Sequence, residues 1–213
     1  MSNPLPTRRA SLTQEELARA NVPAALWAAT LPGVTESLRP KLATYLKNIV
    51  EAKKASASLY IYGPPGVGKT GAGTVLLKEA RAWGFTAYMV SVEELRMAVA
   101  NRSSYQYDSE YSILDKAYTV DFLLFDDLQL SDATQLYPPL SCNEIRSLIR
   151  KRQDYGLVTI ITSSVEPEAW QKPSKELLFT LQKTCLVLQM TGPSRYDDAN
   201  ASKKAFITPS PVK

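Results

Sequence analysis

The sequence predicts an α/β fold in which helices alternate with the strands of a parallel sheet. Three observations support this prediction. Five short β-rich segments are separated by segments whose apolar residues have helical spacing. A glycine-rich segment at residues 63–70 stands between the first strand and the next helix, and the third strand ends in two adjacent carboxylates. Strands joined through intervening helices run parallel with right-handed crossovers, so their carboxyl ends meet at one edge of the sheet.

Each predicted element has its own signal in the chain. The strands are rich in β-branched and aromatic residues and are expected at residues 59–62, 85–92, 121–125, 157–162 and 185–190. Capping boxes, in which Ser or Thr is followed three residues later by Glu, open helices at Thr13, Ser91 and Ser141. Two further helices are predicted over residues 36–54 and 71–83. The alternation of these elements predicts a five-stranded sheet.

The length of 213 residues is typical of one domain. Residues 1–12 are polar and proline-containing, and we expect them to be disordered. Residues 13–55 are expected to form a short N-terminal helical lead-in, and residues 56–192 the core. Residues 193–213 are polar and proline-punctuated, which predicts a flexible tail and a reduced or absent C-terminal lid.

The composition excludes several classes of enzyme. The chain has no histidine and only two cysteines, Cys142 and Cys185, which lie 43 positions apart. Catalysis by a Ser-His-Asp or Cys-His site, a HExxH metal site and a C2H2 zinc finger all require imidazole. An enzyme built from this chain therefore depends on carboxylates, lysine, arginine, hydroxyls or a bound metal ion.

Charge and hydropathy indicate a soluble protein. The net charge of +4 is the sum of basic ends and an acidic centre, because residues 56–130 carry 6 basic and 9 acidic groups. This pattern is compatible with an ordinary solvated surface or with a track for a polyanion. The N-terminus has no apolar signal region, and no apolar run approaches the roughly 18 residues that span a membrane. We expect a cytoplasmic protein with no membrane partner.

The strongest motif is G-x-x-x-x-G-K-[ST], the pattern of a phosphate-binding P-loop. Its residues and the one that follows are the candidate ATP or ADP contacts: Gly63, Pro64, Pro65, Gly66, Val67, Gly68, Lys69, Thr70 and Gly71. Glycines let backbone N–H groups surround a phosphate at the positive end of the next helix. Lys69 would reach the β- and γ-phosphates, and the Thr70 hydroxyl would bind Mg²⁺.

Two further strand ends carry candidate catalytic groups. The third strand ends in Asp126 and Asp127, an arrangement by which P-loop ATPases hold Mg²⁺ and orient the attacking water. We assign Asp126 to Mg²⁺ and Asp127 to the water. In the additional-strand class of P-loop ATPases, a polar side chain at the end of the fourth strand senses the γ-phosphate, and Ser164 is the candidate for this role.

These motifs together resemble the DnaC/IstB group of AAA+ ATPases, which are bacterial and phage helicase loaders and their transposition relatives. The resemblance extends over roughly residues 15–196. It rests on ANVP at residues 20–23, AATL at 28–31, GPPGVGKT at 63–70, LLFDDL at 123–128, RKRQDY at 150–155, TIITSS at 159–164 and LQMTG at 188–192. It implies a three-layer P-loop NTPase fold of the AAA+ class.

The chain departs from the family pattern at two positions. Ser164 stands where the family has asparagine, and Thr180 stands where it has an arginine that reaches the ATP of a neighbouring subunit. Such an arginine accelerates hydrolysis strongly by neutralising transition-state charge, which threonine cannot do. The resemblance therefore implies an ATPase that binds ATP and hydrolyses it slowly, unless Arg195 replaces the missing arginine.

The resemblance also implies partners. A DnaC-like loader forms a homo-oligomer with ATP, binds single-stranded DNA and delivers a replicative helicase of the DnaB type. Arginines with interleaved tyrosines suit DNA contact, and Arg96, Arg102, Tyr105 and Tyr107 are the candidates. A second basic set, Arg146, Arg150 and Lys151, is either solvated or in contact with DNA or a partner.

Two other functions remain to be weighed against a loader. One is a nucleotide-gated adaptor with weak hydrolysis, either in transposition like IstB or as a phage-encoded competitor of the host loader. The departures at Thr180 and Ser164 favour this alternative. The other is a metabolic P-loop kinase. Such kinases close an arginine-rich lid over the phosphates, but the segment after Thr162 has only lysines before Arg195, which disfavours a kinase.

Overall fold

The computed structural model describes residues 8–100, 113–129 and 140–195. Five strands form one sheet: β1 (Ser58–Tyr62), β2 (Ala87–Ser91), β3 (Phe122–Leu128), β4 (Val158–Ser163) and β5 (Cys185–Gln189). Their order across the sheet is β2-β3-β4-β1-β5, and every neighbouring pair is parallel. The predicted five-stranded parallel sheet is therefore confirmed. Because β1 lies between β4 and β5, the loop after β1 lies between the carboxyl ends of these two strands.

Helices cover both faces of this sheet. They are α1 (Gln14–Arg19), α2 (Arg39–Lys47), α3 (Ile49–Lys54), α4 (Lys69–Ala82), α5 (Val92–Ala100), α6 (Ile113–Thr119), α7 (Cys142–Asp154) and α8 (Lys175–Thr184). Short 3-10 helices occupy Ala24–Leu26, Leu31–Gly33 and Pro167–Gln171. Among the described residues, no helix is long and apolar enough to cross a membrane.

Alternating strand residues build two separate hydrophobic cores. Leu59 and Ile61 of β1 belong to the core that also contains buried residues of α1 to α4. Tyr60, which lies between them, belongs to the core with α7 and α8. This alternation follows from the two-residue period of a strand, which sends successive side chains to opposite faces. The three-layer architecture predicted from the sequence is confirmed.

Most predicted boundaries agree with the structure to within a few residues. The capping boxes at Thr13 and Ser141 both form, with the hydroxyl accepting from the N3 backbone N–H. Ser91 makes the same reciprocal contacts with Glu94 at the start of α5. The third strand is longer than predicted, because β3 continues through Asp126 and Asp127 to Leu128.

The predicted helix over residues 36–54 was wrong in its continuity and its start. The chain forms α2 and α3 instead, and Asn48 between them has φ −108° and ψ 21°, outside helical values. Its side-chain amide donates to the Thr44 carbonyl at 2.9 Å. Asparagine competes in this way with the backbone for helical hydrogen bonds, so it interrupts an otherwise continuous apolar pattern. Helices α6 and α8 were not predicted.

A fully buried arginine joins the elements on the α7 side of the sheet. The Arg152 guanidinium donates to the carbonyls of Ala117, Val120 and Val158 and to the Thr159 hydroxyl, at 2.7 to 3.0 Å. Burial lowers the pKa of Arg152, but a guanidinium remains protonated at neutral pH. Arg152 belongs to the RKRQDY segment of the family resemblance, and its contacts are structural.

Candidate nucleotide-binding site

The loop after β1 leaves the sheet through a glycine that no other residue can replace without movement. A Cβ atom built on Gly63 would lie 2.0 Å from the Met190 carbonyl oxygen, far inside van der Waals contact. This close approach arises because the Met190 N–H donates to the Tyr62 carbonyl at 2.7 Å, extending the contact between β1 and β5. Gly63 therefore lets the loop pass the end of the neighbouring strand.

The other end of the loop opens α4. Gly68 precedes the helix with φ 98°, a left-handed conformation that glycine adopts without strain. The 14-residue helix begins at Lys69, so its first backbone N–H groups and its positive dipole end face the loop. This is the geometry that binds a phosphate group.

Lys69 folds back over the loop that precedes it. Its ammonium group donates to the carbonyls of Gly63 and Pro64, at 2.8 and 2.9 Å. Burial lowers the pKa of Lys69, while the carboxylates of Asp127 and Asp126 act in the opposite direction. The cation is thus held at the mouth of the loop by two neutral acceptors that a phosphate oxygen could replace.

Asp126 is buried between two hydroxyl groups. Thr70 donates to one carboxylate oxygen at 3.2 Å, and Thr162 of β4 donates to the other at 2.5 Å. Burial raises the pKa of Asp126, and the two hydroxyl donors lower it. The structure therefore brings together Thr70 and Asp126, the two predicted Mg²⁺ ligands.

Asp127 is exposed and has an unusual backbone conformation. Its φ of 61° lies in the left-handed region, where Asp is among the few non-glycine residues that are tolerated. The β3–β4 register shifts between Phe125 and Leu128, so the strand is irregular at the acidic pair. The Asp127 N–H donates to the Thr162 hydroxyl at 3.0 Å, and its carboxylate accepts from Gln129 at 2.7 Å. The carboxylate is thus held at the surface, open to water.

Two other predicted positions lie apart from this cluster. Ser164 is exposed, and its side chain makes no hydrogen bond within the described part of the chain. Thr180 is buried, and its hydroxyl donates to the Glu176 carbonyl one turn back in α8 at 2.8 Å. Within the described residues, neither side chain is hydrogen-bonded to the loop or to the acidic pair.

The predicted DNA contacts are only partly described. Arg96 is 8% exposed, and its guanidinium pairs with Glu93. This burial leaves Arg96 little surface for a phosphate contact. Arg102, Tyr105 and Tyr107 lie outside the described residues. These four DNA contacts therefore remain predictions.

A small pocket adjoins the loop on the side of the N-terminal lead-in. It has a volume of about 280 Å³ and is lined by Leu26, Ala29, Val34, Gly71, Ala72 and Arg195, among others. Lys78 of α4 holds one wall in place by donating to the carbonyls of Trp27 and Ala29, at 2.6 and 2.8 Å. Apolar side chains and polar groups both line the pocket, which lies beside Gly68. This position suits a planar base whose phosphates enter the loop.

Arg195 closes this pocket from the C-terminal side. Its backbone N–H donates to the Gly66 carbonyl at 3.0 Å, and its guanidinium donates to the Gly33 carbonyl. The guanidinium also lies against Gly68, where an added Cβ would be 2.7 Å from its central carbon. Arg195 therefore contacts the loop of its own chain.

These residues fit a magnesium nucleotide. Gly63 and Gly68 have room for backbone but not for a side chain, and α4 directs its N-terminal N–H groups at the space they leave. Thr70 and Asp126 supply the hydroxyl and carboxylate oxygens that Mg²⁺ takes from a protein when phosphates provide its other ligands. The donor set is therefore the one expected of a P-loop nucleotide site.

Strand order, loop and acidic strand together define the class of this protein as a P-loop NTPase fold. The sequence matches no protein-family model and no curated protein significantly. Solved structures have a similar fold, with TM-scores of about 0.6. One is a DnaI structure with 21% sequence identity and a TM-score of 0.64. The match covers 81% of this chain and 93% of the DnaI chain.

The DnaC helicase loader gives a similar result. It is 18% identical, and the match covers 79% of this chain and all of the loader chain at a TM-score of 0.65. The initiator DnaA bound to AMPPCP and single-stranded DNA is 18% identical, with 85% of this chain but only 56% of DnaA covered, at a TM-score of 0.60. The chain thus has the three-layer α/β P-loop fold that the resemblance implied.

Sequence reasoning missed two residues of the site. Thr162 lies two residues before Ser164 and is hydrogen-bonded to both acidic residues, whereas Ser164 has no such hydrogen bond among the described residues. The parallel register of β1 and β4 could have indicated Thr162 as a site residue. Thr162 pairs with Ile61, which lies just before the loop, so it is at the same edge of the sheet as the loop. Arg195 was considered only as a replacement for the missing arginine, since nothing local shows that the chain returns to the loop after Gly192.

Proposed function

We propose that this protein is a DnaC-like helicase loader, an ATP-binding AAA+ protein of DNA replication. The observation that carries the proposal is the loop of residues 63–70 with Asp126 hydrogen-bonded to Thr70 and Thr162 beside it. The match over the full length of the DnaC loader chain supports a loader more than a larger initiator. Its partners would be single-stranded DNA, a DnaB-type helicase and further copies of itself.

Nucleotide binding begins at the loop. The β- and γ-phosphates of ATP accept hydrogen bonds from the first N–H groups of α4, and Lys69 exchanges its carbonyl acceptors for phosphate oxygens. The base would occupy the pocket beside Leu26 and Ala29. Thr70 and Asp126 would hold Mg²⁺, which would supply positive charge to neutralise the phosphates. Arg195 contacts the bound phosphates from above the loop.

Hydrolysis would depend on Asp127. Its exposed carboxylate would orient the attacking water by accepting a hydrogen bond from it as the γ-phosphoryl group is transferred. Aspartate is one methylene shorter than glutamate, and Thr180 is buried and cannot supply charge to a neighbouring subunit. We therefore expect the protein to bind ATP and to hydrolyse it slowly.

Turnover with and without single-stranded DNA tests the catalytic part of this proposal. We expect slow, DNA-stimulated release of phosphate that Asp127→Asn reduces at least tenfold while ATP affinity is retained. Asp115→Asn, which changes an exposed carboxylate on α6, is the matched control and should have wild-type turnover. Equal turnover in all three proteins would contradict a role for Asp127. Omission of Mg²⁺ should weaken ATP binding in each of them.

The loader function itself requires a helicase. Size-exclusion chromatography of the full chain with the host's replicative hexamer and ATP should give co-elution, and Lys69→Ala should abolish it if nucleotide gates the contact. Co-elution that persists in Lys69→Ala would show that the contact is independent of nucleotide. Absence of co-elution with the wild-type protein would contradict the loader proposal.

A nucleotide-gated adaptor with weak hydrolysis is the second candidate. Two observations favour it: Ser164 is exposed and makes no hydrogen bond to the acidic pair in the described part of the chain, and Thr180 is buried within α8. An IstB-like transposition ATPase or a phage-encoded competitor of the host loader would fit this description. Binding of ATP without measurable turnover, with or without DNA, would favour the adaptor; robust stimulated turnover lost in Asp127→Asn would exclude it.

A further inference from the structure

We propose that the groove between α7 and α8 binds the backbone of single-stranded nucleic acid. The α7–α8 groove, as we call it, is lined chiefly by Arg146, Arg150, Lys175, Phe179 and Lys183 and has a volume of about 510 Å³. It is separate from the nucleotide site and from the Arg96 region. The inference deepens the DNA-binding part of the proposed function and rests on it.

The charges of the groove form two rows. Arg146 and Arg150 lie one turn apart on α7, and Lys175 and Lys183 lie two turns apart on α8, so each pair lies on one face of its helix. A second pocket of about 420 Å³ continues the basic surface past Arg150 to Lys151. The acids Asp154 and Glu176 also line the groove, and the cations outnumber them. The groove therefore attracts a polyanion.

These cations are not used by the fold. Six ion pairs occur in the described part of the chain, and none includes Arg146, Arg150, Lys175 or Lys183. The Glu176 backbone N–H and the Ser174 hydroxyl lower the pKa of the exposed Glu176 carboxyl most, and the charges of Arg146 and Lys175 lower it further. Long cationic side chains without fixed partners are available to neutralise phosphates, and that neutralisation releases bound counterions.

Aromatic side chains favour a single strand over other polyanions. Phe179 lies between Lys175 and Lys183 on α8 and is 65% exposed, although a large apolar side chain is normally buried. Tyr155, at the end of the second pocket, is 68% exposed. Aromatic rings beside a basic track stack on unpaired bases, whereas the bases of a duplex present no free faces. An acidic protein segment would use the charges but would not need the two rings.

The length of the groove limits how many phosphates it can contact and therefore how strongly binding depends on salt. Arg146 to Asp154 spans about 12 Å of helix, which is the length of three or four nucleotides of a stacked strand. Each phosphate neutralised on a single strand contributes about 0.7 to the slope of log affinity against log salt. Removing two groove cations should therefore reduce that slope by about 1.4.

Fluorescence anisotropy with a labelled oligothymidylate, in ATP and over a series of salt concentrations, tests the groove in the full chain. Arg150→Gln combined with Lys183→Gln should weaken binding about tenfold at low salt and reduce the slope by about 1.4. Lys41→Gln combined with Lys47→Gln removes the same charge from exposed positions of α2, on the other face of the sheet, and should leave the slope unchanged. Phe179→Ala should weaken binding several-fold with no change in slope, since it removes stacking and no charge.

Each other outcome overturns the inference in a distinguishable way. Equal slopes for the groove pair and the α2 pair would show that the strand binds elsewhere, while the proposed DNA binding itself stands. No binding by any variant at low salt, with ATP binding intact, would reject both the groove and the DNA-binding function. Unchanged strand binding with loss of helicase co-elution in the groove pair would mark the groove as a protein-binding surface. Thermal unfolding of each variant checks that these exposed substitutions preserve the fold.

Discussion

One hydroxyl group organises the acidic residues of the site. Thr162 donates to Asp126 and accepts from the Asp127 backbone, so a single buried side chain links the end of β4 to both carboxylate-bearing residues of β3. The register irregularity in β3 leaves the Asp127 N–H without a regular strand partner, and the threonine hydroxyl fills that position. The orientation of the two acids thus depends on a residue outside the recognised motifs.

Thr162→Val should separate this role from packing. Valine preserves the shape but leaves the Asp127 N–H and one Asp126 oxygen without their partner, at a cost of about 1 to 3 kcal/mol in unfolding free energy. We also expect weaker Mg²⁺-dependent ATP binding, measured by calorimetry. Thr44→Val, at an exposed threonine of α2, is the control. A Thr162→Val protein with wild-type stability and ATP affinity would show that Thr162 does not organise the site.

At the scale of elements, Arg152 connects α6, α7 and the start of β4. Its donors reach carbonyls at the ends of α6 and β4 that would otherwise be buried without partners. The planar guanidinium presents five donors in fixed directions, which one ammonium group cannot reproduce. This explains why an arginine occupies the core face of α7, where the other buried residues of the helix are apolar.

Arg152→Met should therefore destabilise the protein despite its hydrophobic gain. The freed carbonyls and hydroxyl lose their donors, and we expect a loss of about 2 to 4 kcal/mol in urea unfolding. Arg152→Lys should also be destabilised, since lysine cannot satisfy the same set of acceptors. Arg150→Met, exposed on the same helix, should be near wild type. Equal stabilities of the Arg152 and Arg150 variants would contradict the structural role.

At the scale of the whole molecule, distant parts of the chain meet around the nucleotide pocket. The Ser37 hydroxyl donates to the Thr191 carbonyl at 2.7 Å, and the Thr191 N–H donates back to the Ser37 oxygen at 3.1 Å. Arg195 then reaches Gly33 in the same lead-in segment. The pocket beside the loop is therefore bounded by residues from both sides of the core sequence.

Ser37→Ala tests this closure. It removes both hydrogen bonds at an exposed position, so the unfolding free energy should fall by only about 1 kcal/mol. Nucleotide affinity should fall more clearly, because the segment carrying Arg195 loses its anchor to the lead-in. Stopped-flow dissociation of a fluorescent ATP analogue should be faster than in Ser11→Ala, an exposed control. Identical dissociation rates would show that the contact does not close the pocket.

Lys78→Met tests the opposite wall of the pocket. Methionine keeps the length and the apolar stem but cannot donate to the carbonyls of Trp27 and Ala29. Burial lowers the pKa of Lys78 because it disfavours the charged form, and the two carbonyls are the acceptors that its ammonium group would lose. We expect faster hydrogen exchange in residues 24–34 and weaker nucleotide binding. Unchanged exchange in that segment would contradict the proposed tether.

The sequence by itself determined the parallel sheet, the loop and the acidic strand end. These are local features: strand periodicity, the spacing of glycines around Lys69, and the carboxylates that end an apolar run are readable within a few residues. The capping boxes at Thr13 and Ser141 were predictable for the same reason. Each is decided by neighbours along the chain.

Only the tertiary structure decided which side chains complete the site. Thr162 replaces Ser164 beside the acids because of the β3–β4 register, and Arg195 meets the loop because β5 returns beside β1. Arg152 is buried, whereas Arg150 and Lys183 are exposed beside one groove, because α7 and α8 pack on the same face of the sheet. These facts depend on contacts between residues far apart in sequence, which no local pattern encodes.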